Sequence, residues 1–176
     1  MQIAVYCGSS HGALPDYGAG ARQLGRSLAQ RGHGLVYGGG DIGLMGEVAE
    51  AVQSSGGAVL GVITEHLLTR EIGNGSVDEL IVVEDMPTRK RIMFERADAF
   101  IALPGGVGTM EELFEVLCWR YLGLHPKPVG LLNVAGFYDG LLAYLARAAD
   151  DGFIRDDHLM VADDPDVLLD AISASA

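Results

Sequence analysis

Cysteine is scarce in this chain of 176 residues, and long apolar runs are absent. Cys7 and Cys118 are too few and too far apart for a disulfide framework or a zinc site, and the five histidines are scattered rather than grouped at ligand spacings. No apolar run reaches the roughly 18 to 20 residues that a membrane span needs. The first residues, MQIAVYCGSSHG, lack a basic segment followed by a signal-like apolar stretch. We therefore expect a cytoplasmic protein, and redox and zinc chemistry are disfavoured.

Positive charge is also in short supply. Twelve lysines and arginines stand against 24 aspartates and glutamates, which gives a formal net charge of −12. A protein that holds nucleic acid through its phosphates needs the opposite balance, so this class is disfavoured. A small anion can still bind where a few cations and backbone N–H groups converge. The local arrangement of charge therefore matters more than its sum.

Short apolar segments alternate with helical patterns along the whole chain. The strand-like segments are QIAVYC, GLVYGGG, AVLGVIT, ELIVVE, AFIAL and PVGLLN. The helical patterns cover residues 15–31, 42–54, 87–97, 109–124 and 137–151, and the tail HLMVADDPDVLLDAIS adds an extended piece and a closing helix. Apolar strands between helices are typical of a parallel sheet covered on both faces. We predict one α/β domain over residues 1–176, a Rossmann-like doubly wound parallel sheet with helices on both faces.

Glycine-rich turns follow three of these strands, at the end of the sheet where such folds bind ligands. The second turn, GGGDIGLMG, contains Gly38-x-Gly40-x-x-Gly43 and so matches the dinucleotide fingerprint. The match is weak evidence for NAD or FAD, because the fingerprint belongs on the first turn of the fold. A tight turn between a strand and a helix explains the same glycines.

The third turn, LPGGVGT, points more clearly to a ligand. Glycines allow close backbone approach, and a helix that opens at Thr109 presents N–H groups that have no partner within the helix. These features make a phosphate cradle, predicted from Gly105, Gly106, Val107, Gly108 and Thr109. The Walker pattern fails because no lysine follows Gly108, so hydrolysis of nucleoside triphosphates is disfavoured.

A purely structural explanation competes at this turn. Thr109-x-x-Glu112 has the spacing of a capping box, in which the glutamate folds back onto the start of the helix. Against it, Glu111 and Glu112 both lie near the place where a phosphate would bind, and a cap needs only one of them. The spacing alone leaves both interpretations open.

A basic cluster precedes the strand that leads to this turn. Pro87 suits the first turn of a helix, so Arg89, Lys90 and Arg91 lie near a helix N-terminus, where the macrodipole disfavours cations. The cluster is either a surface patch that water and neighbouring carboxylates balance, or part of a phosphate site. A phosphate-bearing ligand would satisfy both the cluster and the cradle.

Taken together, these segments resemble the LOG ("lonely guy") family of cytokinin-activating phosphoribohydrolases. The resemblance covers most of the chain and rests on CGSS at 7–10, YGGGDIGLMG at 37–46, TREI at 69–72, DMPTRK at 85–90, PGGVGTMEE at 104–112 and GLHPKPVGLLNVAGFYDGLL at 123–142. The chain departs from the family pattern at Pro87, where the family has histidine, and at Asp41. Members of this family have been labelled lysine decarboxylases, but neither Lys90 nor Lys127 has the surroundings of a pyridoxal phosphate site.

The resemblance implies hydrolysis of N6-substituted adenosine 5′-monophosphates to a free cytokinin base and ribose 5-phosphate, by a homodimer or an assembly of dimers. It implies no metal or redox cofactor. Carried over by position, the catalytic pair is Arg89 and Glu112. The implied substrate contacts are Glu71, Lys90 and Glu111, together with the phosphate-binding loop Gly106, Val107, Gly108 and Thr109 and the adjoining Gly105.

The residue types suit that chemistry. Breaking an N-glycosidic bond places positive charge on the ribose, which a fixed carboxylate such as Glu112 stabilises while it orients or deprotonates water. Arg89 can position the nucleotide and stabilise the departing base, although it is a poor proton source. Two alternatives stay open: a non-catalytic carrier of a nucleotide or of the molybdenum cofactor, and a general AMP nucleosidase.

Overall fold

The computed structural model describes residues 1–68, 73, 75–154 and 158–175. Its strands are β1 (Gln2–Tyr6), β2 (Gly34–Tyr37), β3 (Val59–Thr64), β4 (Glu79–Val83), β5 (Ala99–Ala102), β6 (Val129–Leu132) and β7 (Leu159–Ala162). Its helices are α1 (Pro15–Gln30), α2 (Gly43–Ser54), α3 (Glu65–Leu68), α4 (Met86–Arg96), α5 (Val107–Tyr121), α6 (Asp139–Asp150) and α7 (Pro165–Ser173). None of the helices in these ranges is both long and apolar enough to cross a membrane.

The seven strands form one parallel sheet in the order β4-β3-β2-β1-β5-β6-β7. The chain builds outward from β1 in one direction and then returns to pair β5 with the other side of β1. This reversal creates a crevice at the carboxyl ends of β1 and β5, the point at which open α/β sheets bind ligands. The predicted Rossmann-like parallel sheet is confirmed.

Alternate residues of β1 reach two separate cores. Ile3 and Val5 pack in the core that includes residues of α1, α2 and α7. Ala4 and Tyr6 pack in the core on the other face, together with residues of α4 and α5. The doubly wound arrangement therefore buries both faces of the central strand, which is why its sequence reads as a nearly continuous apolar run.

Helices α4 and α5 begin and end at positions other than those predicted. Helix α5 begins at Val107, two residues before the predicted start, and Gly106 is its N-cap. It ends at Tyr121 rather than Leu124, because Gly123 adopts a positive φ of 73° that stops the helix. Helix α4 begins one residue before the predicted start, and the Asp85 carboxylate accepts the Thr88 N–H at 2.7 Å as its cap.

The last glycine of the fingerprint-like turn has a packing role. Gly43 has a φ of 62°, and a Cβ atom placed there would overlap the backbone of Ser9 and Ser10 in the first glycine-rich turn. This contact between two of the three turns explains why position 43 is glycine, so the match to the dinucleotide fingerprint gives no support to NAD or FAD.

Replacing Gly43 by alanine is expected to destabilise the protein by about 2–3 kcal/mol, because both backbone strain and a backbone overlap result. Urea unfolding measures the loss. Gly56→Ala is the matched control, because Gly56 has a φ of 79° but no heavy atom within 4 Å of the added Cβ. It should cost only the conformational part, about 1 kcal/mol. Equal losses in the two variants would contradict the close approach at Gly43.

Candidate active site

A cavity of about 520 Å³ lies at the carboxyl ends of β1, β2 and β3 and against the starts of α4 and α5. Its wall includes Arg89 from α4 and Glu112 from α5. The start of α5 contributes the residues from Gly106 to Thr109, with Glu111 one turn further on. Seven of the ten residues predicted for the site therefore line one cavity.

Arg89 and Glu112 form a buried ion pair in the wall of this cavity. The Arg89 Nη1 atom donates to Glu112 Oε1 at 3.0 Å, and the two residues are only 6% and 8% exposed. The Arg89 Nε–H donates to the Val62 carbonyl at 2.9 Å, and Nη2 donates to the Gly38 carbonyl at 3.4 Å. Two backbone carbonyls and the Glu112 carboxylate thus hold the guanidinium in place. The guanidinium in turn orients the Glu112 carboxylate.

Position 38 requires glycine because the Arg89 guanidinium occupies the space that a side chain would fill. A Cβ atom on Gly38 would overlap Arg89 Nη2. The glycine triplet after β2 therefore admits an arginine from α4, a role that the sequence does not reveal.

The capping-box interpretation of Thr109 and Glu112 is wrong. Because α5 begins at Val107, Thr109 is its third residue, and the N-cap is Gly106, which has no side chain to form a cap. The Glu112 carboxylate bonds instead to Arg89 on the neighbouring helix. The Thr109 side chain packs over Gly105, where a Cβ atom would overlap the threonine Oγ1.

The start of α5 has the form of an anion site. Val107, the first helical residue, is 88% exposed, and the N–H groups of a first helical turn have no acceptor within the helix. The helix dipole adds partial positive charge at the same place. Gly105 lies just outside the main cavity and lines a smaller adjoining one together with Gly106. The Gly8 N–H donates to the Pro104 carbonyl at 3.0 Å, which joins this turn to the end of β1.

Lys90 lies beside the cavity rather than in its wall. Its ammonium group binds Glu111, and it also binds Glu115 at 3.0 Å. Both carboxylates raise the pKa of Lys90, although its partial burial, the largest single influence, acts in the opposite direction. Arg91 is the last cation of the cluster, and its Nη1 atom lies 3.5 Å from Glu95 Oε1. Carboxylates of the protein thus pair with all three cations, so the cluster does not need a bound anion to balance it.

Glu71, a predicted substrate contact, lies outside the residues that the structure describes. Pro87, the departure from the family pattern, is exposed in the first turn of α4 and does not line the cavity. Lys127 is also remote from it, since its Nζ donates to the Phe94 carbonyl at 2.6 Å and lies 4.2 Å from the centre of the Phe94 ring. Neither lysine of the chain therefore reaches the cavity wall.

Several residues of the cavity wall were not predicted. Met45, Leu67 and Met86 give it an apolar part, and Tyr6 forms part of it at the end of β1. Burial raises the pKa of Tyr6 well above its usual range, and the nearby Glu112 carboxylate raises it further. The position of Tyr6 at the end of the first strand, directly before CGSS, was the available signal.

These features define a class of protein: a Rossmann-like α/β domain that combines a helix start suited to phosphate with a buried arginine–glutamate pair in one cavity. A family model described as "possible lysine decarboxylase" matches residues 45–172. The chain is 54% identical, over 87% of its length, to the Arabidopsis thaliana cytokinin riboside 5′-monophosphate phosphoribohydrolase LOG7, of which it spans 70%. It is 52% identical, over 88% of its length, to the probable cytokinin riboside 5′-monophosphate phosphoribohydrolase LOGL2 of Oryza sativa subsp. japonica, of which it spans 63%. The chain belongs to the LOG family.

Solved structures share the whole fold. The molybdenum cofactor binding protein of Rippkaea orientalis is similar with a TM-score of 0.75 and 26% identity, over 98% of this chain and 95% of the other. The molybdenum cofactor carrier protein of Chlamydomonas reinhardtii gives a TM-score of 0.74 at 24% identity, over 98% and 96% of the two chains. The second likeness supports the fold alone.

Proposed function

We propose that this chain hydrolyses the N-glycosidic bond of cytokinin riboside 5′-monophosphates and releases the free base and ribose 5-phosphate. One observation carries the proposal: the buried Arg89–Glu112 pair opens onto the same cavity as the exposed start of α5. The names of the plant relatives, which are about half identical to this chain, support the same activity and substrate class. The homodimer that the resemblance implies stays a prediction.

The start of α5 would bind the 5′-phosphate. Free N–H groups and the positive end of the helix dipole both favour an anion there. This binding energy comes from a part of the substrate that does not react, and it can be used to hold the ribose in place. A 5′-monophosphate should therefore react much faster than the corresponding riboside.

Glu112 would act at the ribose. As the bond to the base breaks, C1′ gains positive charge, which a carboxylate held in a fixed orientation stabilises. The water oxygen forms a bond to C1′, a water proton passes to the Glu112 carboxylate, and the C1′–N9 electron pair leaves with the base. The hydrogen bond from Arg89 sets the orientation of this carboxylate.

Arg89 would serve as a fixed positive charge. Its guanidinium is held by Glu112, Val62 and Gly38, so it needs no reorganisation during the reaction. A permanently charged guanidinium does not transfer a proton at neutral pH, but it can stabilise negative charge on the departing base. The apolar side chains of Met45, Leu67 and Met86 provide a surface in the same cavity that suits a base with an apolar N6 substituent.

Binding without hydrolysis is the second candidate, because the Rippkaea orientalis protein of the same fold is described as binding the molybdenum cofactor. A carrier needs an anion site but has no use for a carboxylate fixed beside the ribose. The Arg89–Glu112 pair therefore favours the enzyme over the carrier.

Chromatography of reaction products tests the proposal. The purified protein is incubated separately with isopentenyladenosine 5′-monophosphate, with AMP and with isopentenyladenosine. We expect free base from the first substrate and none from the riboside. Comparable release from AMP would instead indicate a general nucleosidase. Absence of free base in all three reactions would contradict the hydrolase and favour the carrier.

A further inference from the structure

Tyr6 lies in the crevice at the carboxyl ends of β1 and β5, where the strand order reverses. It is the last residue of β1, in register with Ala102 of β5, and its carbonyl accepts the Leu103 N–H at 2.9 Å. Its ring stacks on that of Phe100 with the planes 11° apart and the centres separated by 6.1 Å. Only 4% of the residue is exposed, and it lines the cavity that holds Arg89 and Glu112.

The Tyr6 hydroxyl has no hydrogen-bond partner among the residues that the structure describes. Tyr138 differs, since its hydroxyl donates to the Leu103 carbonyl. Both tyrosines belong to the same core, but Tyr138 does not line the cavity. A tyrosine in the cavity wall whose hydroxyl bonds to none of the described residues can bond to a molecule bound in the cavity.

The surroundings of Tyr6 determine the protonation state of its hydroxyl. Burial raises its pKa most, and the carboxylates of Glu112, Glu115 and Glu111 raise it further, whereas Arg89 acts in the opposite direction. The phenol therefore keeps its proton at neutral pH and is a neutral O–H donor. Glu112 has the largest influence of these charged groups, yet no direct hydrogen bond joins it to the Tyr6 hydroxyl. A small molecule that bonds to both groups fits this arrangement.

We propose that Tyr6 is a positioning residue that, together with Glu112, holds the water molecule that attacks C1′. The proposal rests on the hydrolase function proposed above. One lone pair of the water accepts the Tyr6 O–H, and one of its protons is donated to the Glu112 carboxylate. The second lone pair faces C1′, where it forms the new C–O bond as the base departs. In a reaction with strong positive charge on the ribose, the placement of the water matters more than its basicity.

The test compares Tyr6→Phe with Tyr138→Phe. Tyr6→Phe keeps the ring on Phe100 and removes no hydrogen bond within the described residues, so its melting temperature should match that of the natural chain. We expect its kcat on isopentenyladenosine 5′-monophosphate to fall about 10- to 100-fold, with KM changed less than 2-fold. Tyr138→Phe removes a buried structural hydrogen bond, so it should lower the melting temperature and leave kcat within 2-fold.

A second measurement addresses the water itself. In mixtures of water and methanol, the ratio of ribose 5-phosphate to its methyl glycoside reports how strongly the enzyme selects water. Tyr6→Phe should shift this ratio toward the methyl glycoside, which a purely structural role would not do. The proposal is overturned if Tyr6→Phe keeps the kcat and product ratio of the natural chain, or if it raises KM alone. An inactive natural chain would overturn the hydrolase function itself, and with it this role of Tyr6.

Discussion

Replacing Glu112 by glutamine is expected to lower kcat/KM for isopentenyladenosine 5′-monophosphate about 1,000-fold. The amide keeps an oxygen that can accept the hydrogen bond from Arg89, but it cannot take a proton from water and carries no negative charge to face the ribose. A loss of this size corresponds to about 4 kcal/mol of transition-state stabilisation. Steady-state kinetics with separate determination of kcat and KM measures the effect, which should fall on kcat.

The same variant should also lose some stability, because the pair that it alters is buried. Weakening a hydrogen bond between two charged groups costs about 1–3 kcal/mol, which urea unfolding can measure. Glu95→Gln is the matched control on the neighbouring helix: Glu95 pairs with Arg91 at the surface, at 3.5 Å, and its loss should change neither activity nor stability measurably. If Glu112→Gln kept a tenth or more of the activity, Glu112 would be a structural residue and the proposed mechanism would be wrong.

The sheet could be predicted from the sequence because each strand is marked locally. A strand buried on both faces must be apolar along its whole length. The glycine-rich turns that follow β1, β2 and β5 mark the carboxyl ends of these three strands. The strand order follows less directly. Only the return of the chain to β1 brings CGSS and PGGVGT together, as the bond from Gly8 N–H to the Pro104 carbonyl shows.

The partners of the charged residues could not be predicted, because they depend on how the helices cross. Spacing along α5 suggested that Glu112 folds back on Thr109, but its partner is Arg89 on a different helix. Similarly, the Arg89–Lys90–Arg91 cluster resembles an anion site in sequence. Packing of α4 against α5 instead places carboxylates beside Arg89 and Lys90. Backbone carbonyls such as that of Val62, which fixes Arg89, leave no mark on the sequence at all.

The second large effect is expected from Arg89→Met, which should destabilise the protein by about 3–5 kcal/mol and abolish turnover. The substitution removes the guanidinium that pairs with the buried Glu112 carboxylate, and it removes the donor to the Val62 and Gly38 carbonyls. Urea unfolding of the variant, with the enzymatic assay beside it, measures both losses.

Combining Arg89→Met with Glu112→Leu should restore most of that stability while the enzyme stays inactive. Two apolar side chains of similar volume avoid the cost of holding two charges away from water, and such exchanges are often neutral or stabilising. The natural chain, the two single variants and the double variant form a cycle. Its interaction free energy should be at least as large as the loss that Arg89→Met causes alone. Simple additivity of the two single losses would show that the two residues are energetically independent. A stable but inactive double variant would show that the pair is kept for the reaction at the ribose, because the fold alone would be served as well by two apolar side chains.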